Sequence, residues 1–405
     1  MSASVRRSAV FTLAAIVGLM PFAIDMFLSS LPAISQEFAT PVWVNQLTLT
    51  GYLLVLGAGQ LIAGPITDAL GRRRPLLVGI VLFTVAAVIA AAAPTIEVLV
   101  GARLLQGFGG AIAVVVANSS VRDRAQGKDA TRLYAVLLTV MALAPVIAPA
   151  VGGFIDLRFG WRMVFAALAI LGVLVLLCAL AFLPESLSVS GCTPFAAVNV
   201  VSGYGKLLRT RAFSAPLAAL GATFMLLFAY IGGASYVYQQ VYGLNPAAFG
   251  AVFGATGLAL IGGAFVANRQ PAGFATATLA VAGIITMIVG SVMALAAVLT
   301  GLPFWTVALG MAVILFGLGT CEPTLMSMCM NVVDEGTGAA AAVTGAAQYV
   351  LGAAATVIAG VLAVAVPSTW AAILVACAAL ALIFALRSGR MEKHAPSAPV
   401  PELTG

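Results

Sequence analysis

Charge is scarce in this sequence. Asp, Glu, Lys and Arg make up only 8% of its 405 residues, whereas 62% are hydrophobic and the mean hydropathy is +1.13. A soluble domain carries about a quarter charged residues, so this chain cannot cover a water-facing surface and must have lipid as its solvent. Histidine is almost missing as well: the one copy, His394, stands in the C-terminal tail. No H-E-x-x-H or G-x-S-x-G string occurs, and the Gly-x-Gly pieces lie within apolar runs. An intramembrane enzyme therefore lacks its clustered catalytic set, and a nucleotide loop has no place. Cysteine is sparse too. Cys178, Cys321, Cys329 and Cys377 lie in apolar runs, Cys192 lies outside them, and no pair has C-x-x-C spacing, so they read as small buried hydrophobes rather than metal ligands. No metal, cofactor or nucleic-acid partner is expected, although the net charge of +6 would suggest nucleic acid in a soluble protein.

What the chain has is long apolar runs. A spanning helix needs roughly twenty such residues, and segments meeting that rule fall near 8–32, 43–66, 75–95, 97–121, 131–155, 161–183, 212–237, 247–268, 273–298, 303–330, 338–366 and 368–387. The first follows Arg6 and Arg7, as a signal peptide would, but it outruns a signal-peptide core and meets Asp25 instead of a small-residue cleavage site. It reads as an uncleaved span. The count is twelve.

Basic residues collect on the cytoplasmic side of membrane proteins. With the N-terminus placed there, 16 of the 19 Lys and Arg fall on that side, Arg158 and Arg162 fall outside, and Arg103 falls within a span. Both termini are thus expected in the cytoplasm. The longest connection, 184–211, splits the spans six and six and carries Lys206, Arg209 and Arg211, as a linker along the inner leaflet would. The expected organisation is a six-helix bundle over 1–183, the linker, a second bundle over 212–390, and a disordered tail over 391–405. Gly107-Phe108-Gly109-Gly110 in span 4 has a counterpart in Gly317-Leu318-Gly319-Thr320 of span 10, a faint repeat that suggests two related bundles with a site between them.

The sharpest local pattern joins spans 2 and 3: Gly64-Pro65-Ile66-Thr67-Asp68-Ala69-Leu70-Gly71-Arg72-Arg73-Arg74. Gly71 suits a tight turn, Asp68 can meet a helix N-terminus or a guanidinium, and the arginines anchor the turn at an anionic leaflet. A positive-inside loop with a chance glycine is the plainer alternative. The stretch resembles the signature of the major facilitator superfamily, with Ala69 where that family usually has a basic residue. The resemblance implies an all-α integral membrane protein of major facilitator fold, twelve transmembrane helices in two six-helix bundles, in a bacterial inner membrane.

Span 4 holds Arg103 in Arg103-Leu104-Leu105-Gln106-Gly107. At 1.5 Å per residue Arg103 lies roughly 9 Å into its span from outside, and Asp25 roughly 25 Å into span 1 from inside. In a core about 30 Å thick both fall in the outer half, where they can pair or compete for protons. Snorkelling of Arg103 and a structural acid at Asp25 are the plainer readings. The R-x-x-Q-G segment resembles the family element whose Arg is associated with proton coupling. The stretch from Asp25 to Pro32 resembles the first helix of the bicyclomycin-resistance (Bcr/CflA) branch of drug:proton antiporters. In span 5, Pro145, Pro149, Gly152 and Gly153 kink a helix and allow close packing. Together they partly match the antiporter motif of exporters, with Ala144 and Ala148 in place of two glycines. Tyr230, Tyr236, Tyr238 and Gln239 at the end of span 7 suit either an interfacial belt or, by resemblance to the same branch, the border of a drug cavity that includes Gln106. Glu322, before Pro323 in span 10, matches no family acid. It either faces the cavity or serves the backbone freed by the proline.

These resemblances imply proton-coupled efflux of small amphipathic drugs by alternating access, powered by the proton gradient and carried out by a monomer. An exporter or symporter of a metabolite such as a sugar or siderophore is the alternative.

Overall fold

The computed structural model describes residues 7–124, 127–187, 197–269, 276–332 and 337–392. The described residues form helices joined by short turns. The first crossing is broken. Helix α1 (Arg7–Asp25) gives way at Met26–Phe27 to a single 3-10 turn (Leu28–Ser30) and then to α2 (Leu31–Glu37). The expected uniform helix over 8–32 is thus two helices reaching to 37. Ser29 and Ser30 interrupt the pattern, and Pro32 starts α2 because a proline fits the first helical turn.

Next come α3 (Val42–Leu70), α4 (Arg73–Ala91), α5 (Ile96–Arg124), α6 (Gly127–Phe159) and α7 (Trp161–Phe182). The connection beyond holds a short helix, α8 (Ala197–Arg209), which carries Lys206 and Arg209 in its last turn. The second set comprises α9 (Arg211–Tyr236), a π-helical turn (Val237–Val241), α10 (Pro246–Asn268), α11 (Thr276–Leu299), α12 (Phe304–Met330), α13 (Thr337–Ala365) and α14 (Pro367–Glu392). Twelve of the described helical segments are long and apolar enough to cross a membrane. Most run a few residues past the apolar windows, because polar residues at helix ends still satisfy the helical ladder. Met391 and Glu392 are helical, so they do not belong to the expected tail; its other residues lie outside the described ones.

Each set packs mainly on itself, and the two meet along two seams, α3 against α13 and α6 against α10. Lipid-facing stripes are legible in burial. On α4, Val78, Val81, Val85 and Val88 are exposed at helical spacing, as are Ile285, Val289 and Val292 on α11. Small residues hold the interior together. On α5 a Cβ at Gly107 would meet the Tyr52 backbone of α3, and one at Gly109 would meet Gly79 and Phe83 of α4. On α12, Gly319 meets Leu260 of α10 and Gly317 meets Gly283 of α11. By the helices they meet, Gly107 and Gly319 play one part and Gly109 and Gly317 the other, in opposite chain order, so the two strings pack alike without forming a repeat in register. Glycine strings align by composition, whereas packing is set by which helix face each glycine occupies.

Candidate functional site

By topology, Arg7 and Glu392 lie at one end of the molecule, the terminal end. The loop after α3 lies there. Gly71 ends α3 with φ +83°, a left-handed conformation that favours glycine. The turn aims Arg72 inward, where it is largely buried, with its Nε donating to Asp123 Oδ2 of α5 at 3.0 Å. A terminal guanidinium nitrogen binds the Asp68 carboxylate and donates to Thr67 Oγ1 at 3.1 Å. Glu185, just past α7, accepts the backbone N–H groups of Arg72 and Ser186 at 2.9 Å, Arg73 at 3.0 Å and Leu187 at 3.1 Å. Partial burial opposes its ionisation, but these donors outweigh that and hold the Glu185 carboxyl below its usual range. The Arg73 guanidinium donates to Leu180 O at 3.2 Å. Gly64 has open space where a Cβ would stand, so packing does not require a glycine there. Sequence reading missed Asp123 and Glu185. Their only local signal is an acid beside basic or proline neighbours, Arg122-Asp123-Arg124 and Pro184-Glu185.

Deeper in the first set, Arg103 of α5 is fully buried. It donates to Thr48 O of α3 at 3.0 Å, Ala23 O of α1 at 3.0 Å and Gln106 Oε1 at 2.5 Å. Its guanidinium carbon lies 4.3 Å from the ring centroids of both Phe27 and Tyr52, a cation–π sandwich that a lysine would not reproduce. Arg103 therefore does not snorkel. Nor does it pair with Asp25, contrary to one of the two expected possibilities. The described residues form three ion pairs, Arg72–Asp68, Arg72–Asp123 and Arg162–Glu37. The two groups do share a level, since Arg103 holds the carbonyl two residues before Asp25. The physical reason for the missing pair is that backbone and amide acceptors already occupy the guanidinium. Asp25 is buried at the break of the first crossing.

The end opposite the terminal one, here called the far end, is sealed between the two sets. Asn45 Nδ2 donates to Leu31 O at 2.6 Å and Tyr236 OH at 3.0 Å, Gln46 Nε2 to Gly232 O at 2.8 Å, and Gln239 Nε2 to Ser29 O at 2.8 Å. Along the α6–α10 seam the backbones touch. A Cβ on Gly153 would overlap Pro246 O, and one on Gly250 would overlap Pro149 O. Gly152 sits equally close to Met26 O at the break in the first crossing. Pro149 also removes the N–H that would bond the carbonyl four residues back, so the α6 ladder lacks a bond where it is most tightly held.

The tyrosines expected at an interfacial belt or cavity border lie in or beside this seal. Tyr230 stacks on Phe253 at 5.0 Å and meets Thr256 at 3.3 Å; Tyr236 bonds Asn45; all three of Tyr230, Tyr236 and Tyr238 are fully buried. An interfacial belt would leave their hydroxyls in the headgroups, so that reading is corrected. Gln106 is likewise buried, held by Arg103. Tyr238 OH, Asn45 Oδ1 and Gln46 Oε1 are buried without a hydrogen-bond partner, as suits a closure made to reopen. Glu322 of α12 is half-buried and makes no hydrogen bond to the backbone around Pro323. Thr324 Oγ1 instead donates to Cys321 O at 2.6 Å.

Comparison with known proteins follows from this geometry. A family model described as Major Facilitator Superfamily matches residues 13–360. The chain is 32% identical over 340 residues to YdgK of Bacillus subtilis, an uncharacterised MFS-type transporter, covering 84% of this chain and 85% of that one. It is 25% identical to a bicyclomycin resistance protein homolog of Haemophilus influenzae, over 75% of this chain and 76% of the other. The crystal structure of a D-xylose-proton symporter superposes with a TM-score of 0.71 at 18% identity, covering 94% and 96% of the two chains. That likeness speaks to fold alone.

Proposed function

The chain belongs to the Major Facilitator Superfamily, and on that premise we propose that it exports small amphipathic molecules in exchange for protons. Membership makes it a multi-pass membrane transporter of small-molecule substrates and not an enzyme. The observation that carries the finer reading is Asp25, a buried carboxyl that makes no ion pair among the described residues, set beside an arginine that grips the same turn of α1. An ionisable group inside the membrane is functional by default. Here it stands where the first crossing breaks and where the far-end seal begins, so its proton and the closure of that end act on one piece of backbone. The relative named for bicyclomycin resistance supports a drug as cargo, as does the proline-containing, glycine-packed α6.

In this reading the terminal end lies in the bacterial cytoplasm, with both termini there, and the first and second helix sets are the two rocking bundles joined by the segment that holds α8. The sealed far end is then the outer one, and the arrangement described is inward-facing. The protein works as a monomer, since the two seams between its helix sets join helices of one chain. Resistance to a panel of antibiotics, compared in an efflux-deficient bacterium with and without the protein, tests the cargo. At least one amphipathic drug is expected to show a raised inhibitory concentration; an unchanged panel at verified membrane expression refutes drug export.

Orientation has its own check. A reporter active only outside the cytoplasm should be silent when fused after Arg390 and active when inserted near Glu97. Activity at Arg390 would overturn the even count of crossings or the placement of the termini.

A further inference from the structure

Pro65 leaves a gap in α3. It has no N–H, so the carbonyl four residues back, Leu61 O, has no donor within its own helix. A carbonyl left unpaired away from water is costly, and the nearby hydroxyl is already engaged, since Thr67 Oγ1 donates to Gly64 O at 2.9 Å. Leu61 O is met instead from outside α3, by Tyr204 OH of α8 at 2.9 Å.

In its packing α8 belongs to the second helix set. It lies on α9 and α13, and Tyr204 and Leu207 pack against an apolar cluster that includes Phe213, Leu217 and Cys329. Leu61 touches the same cluster from the first set. The linker helix thus rides on one set and reaches the other through the Tyr204 hydroxyl, at the terminal end. A hydrogen bond weakens steeply as its geometry departs from the optimum. A carbonyl on one set and a hydroxyl carried by the other therefore stay joined over only a narrow range of relative positions.

We propose that Tyr204 and the Leu61 carbonyl form a state-dependent clasp, made while the far end is sealed and broken when the terminal end closes, which biases the transporter toward the far-end-sealed arrangement. This rests on the rocking of the two sets in the export reading, and it adds the linker helix as an element that sets the balance. Pro65 gives the clasp its effect, because it deprives Leu61 O of the partner that any other residue would supply.

The test reads far-end opening directly. The full chain, depleted of its native cysteines and held in lipid nanodiscs, carries spin labels at Trp43→Cys and Trp305→Cys, exposed positions where α3 and α12 begin at the far end. Pulsed electron resonance then gives the ratio of open to sealed distances. Tyr204→Phe keeps the ring and removes only the hydroxyl. It should raise the open-to-sealed ratio by about two- to twelvefold, as expected for loss of one neutral hydrogen bond. Pro65→Ala returns an N–H to the ladder, and in that background Tyr204→Phe should move the ratio by less than about 1.5-fold. A tyrosine that merely stabilised the linker would have the same effect in either background. An unchanged ratio in Tyr204→Phe, an equal change with and without Pro65, or loss of the fold on thermal unfolding of Tyr204→Phe overturns the clasp. Failure of the rocking itself looks different. The labels would then keep one distance even with Gly250→Val, which overpacks the far-end seam, and the clasp would fall with it; a failed clasp alone leaves Gly250→Val able to lengthen that distance.

Discussion

Asp25→Asn is expected to abolish export driven by a proton gradient while substrate exchange at equal concentrations continues. The amide fills the same space, so the packing of α1 against Arg103 and the turn at Met26–Phe27 should survive. What it lacks is a proton to give up. The surroundings make this a clean substitution, because Asp25 makes no ion pair in the structure and its loss strands no countercharge. Arg103 remains satisfied by Thr48, Ala23 and Gln106. Gradient-driven uptake into everted vesicles should fall to the level of vesicles without the protein, and counterflow should stay near the wild-type rate. Concentrative transport by the variant would remove Asp25 from the coupling step. Replacing Arg103 would be a poorer probe, since each buried neutral acceptor it leaves unsatisfied costs about 1–3 kcal/mol and together they endanger the fold.

Gly250→Val is expected to hold the far end open. At Gly250 the Pro149 carbonyl of α6 occupies the space of a Cβ, and Pro149 C lies 2.8 Å from it. Backbone on both sides leaves nothing flexible to give way. Overpacking of this kind costs about 1–3 kcal/mol, which multiplies the ratio of open to closed populations by roughly 5 to 150. The penalty falls on the closed seam alone, because separated helices have room for the side chain. In a cysteine-depleted chain carrying Ser29→Cys, an impermeant maleimide added from outside should label the Gly250→Val variant at least about fivefold faster. Turnover should drop with it. Labelling and transport both at the parent level would show that the α6–α10 seam does not govern closure.

The sequence reveals what is local and conceals what is tertiary. Crossings are legible because lipid demands a long apolar run, and the loop after α3 is legible because Gly71 and Arg72 act through their own backbone and neighbours. The break in the first crossing was hidden by Phe27, Leu28 and Leu31, which continue the hydropathy while Ser29 and Ser30 interrupt the helix. Asn45 and Gln46 passed unnoticed for a different reason. Two amides at a helix start resemble ordinary interfacial residues, and only the arrival of Gly232 and Tyr236 from some 190 positions away gives them a task. Arg103 was conspicuous as a charge in a span, yet its partners were misjudged. Complementary charge suggested Asp25, whereas the fold presents main-chain carbonyls at closer range. Glu322 stood out by composition, but that it makes no hydrogen bond to the backbone beside Pro323 needed the structure.

The chemistry of the far-end closure has an evolutionary corollary. Two amides, Gln46 and Gln239, cross to main-chain carbonyls of the opposite helix set, those of Gly232 and Ser29. A carbonyl persists through any side-chain replacement, so the accepting positions are free to drift as far as this bond is concerned, and selection falls on the donors. Each neutral bond contributes only about 0.5–1.5 kcal/mol, and none depends on a matching partner mutation. A lineage can thus retune how readily the outer end breathes by one substitution at a time, on one side of the interface, without passing through an intermediate that has lost the latch.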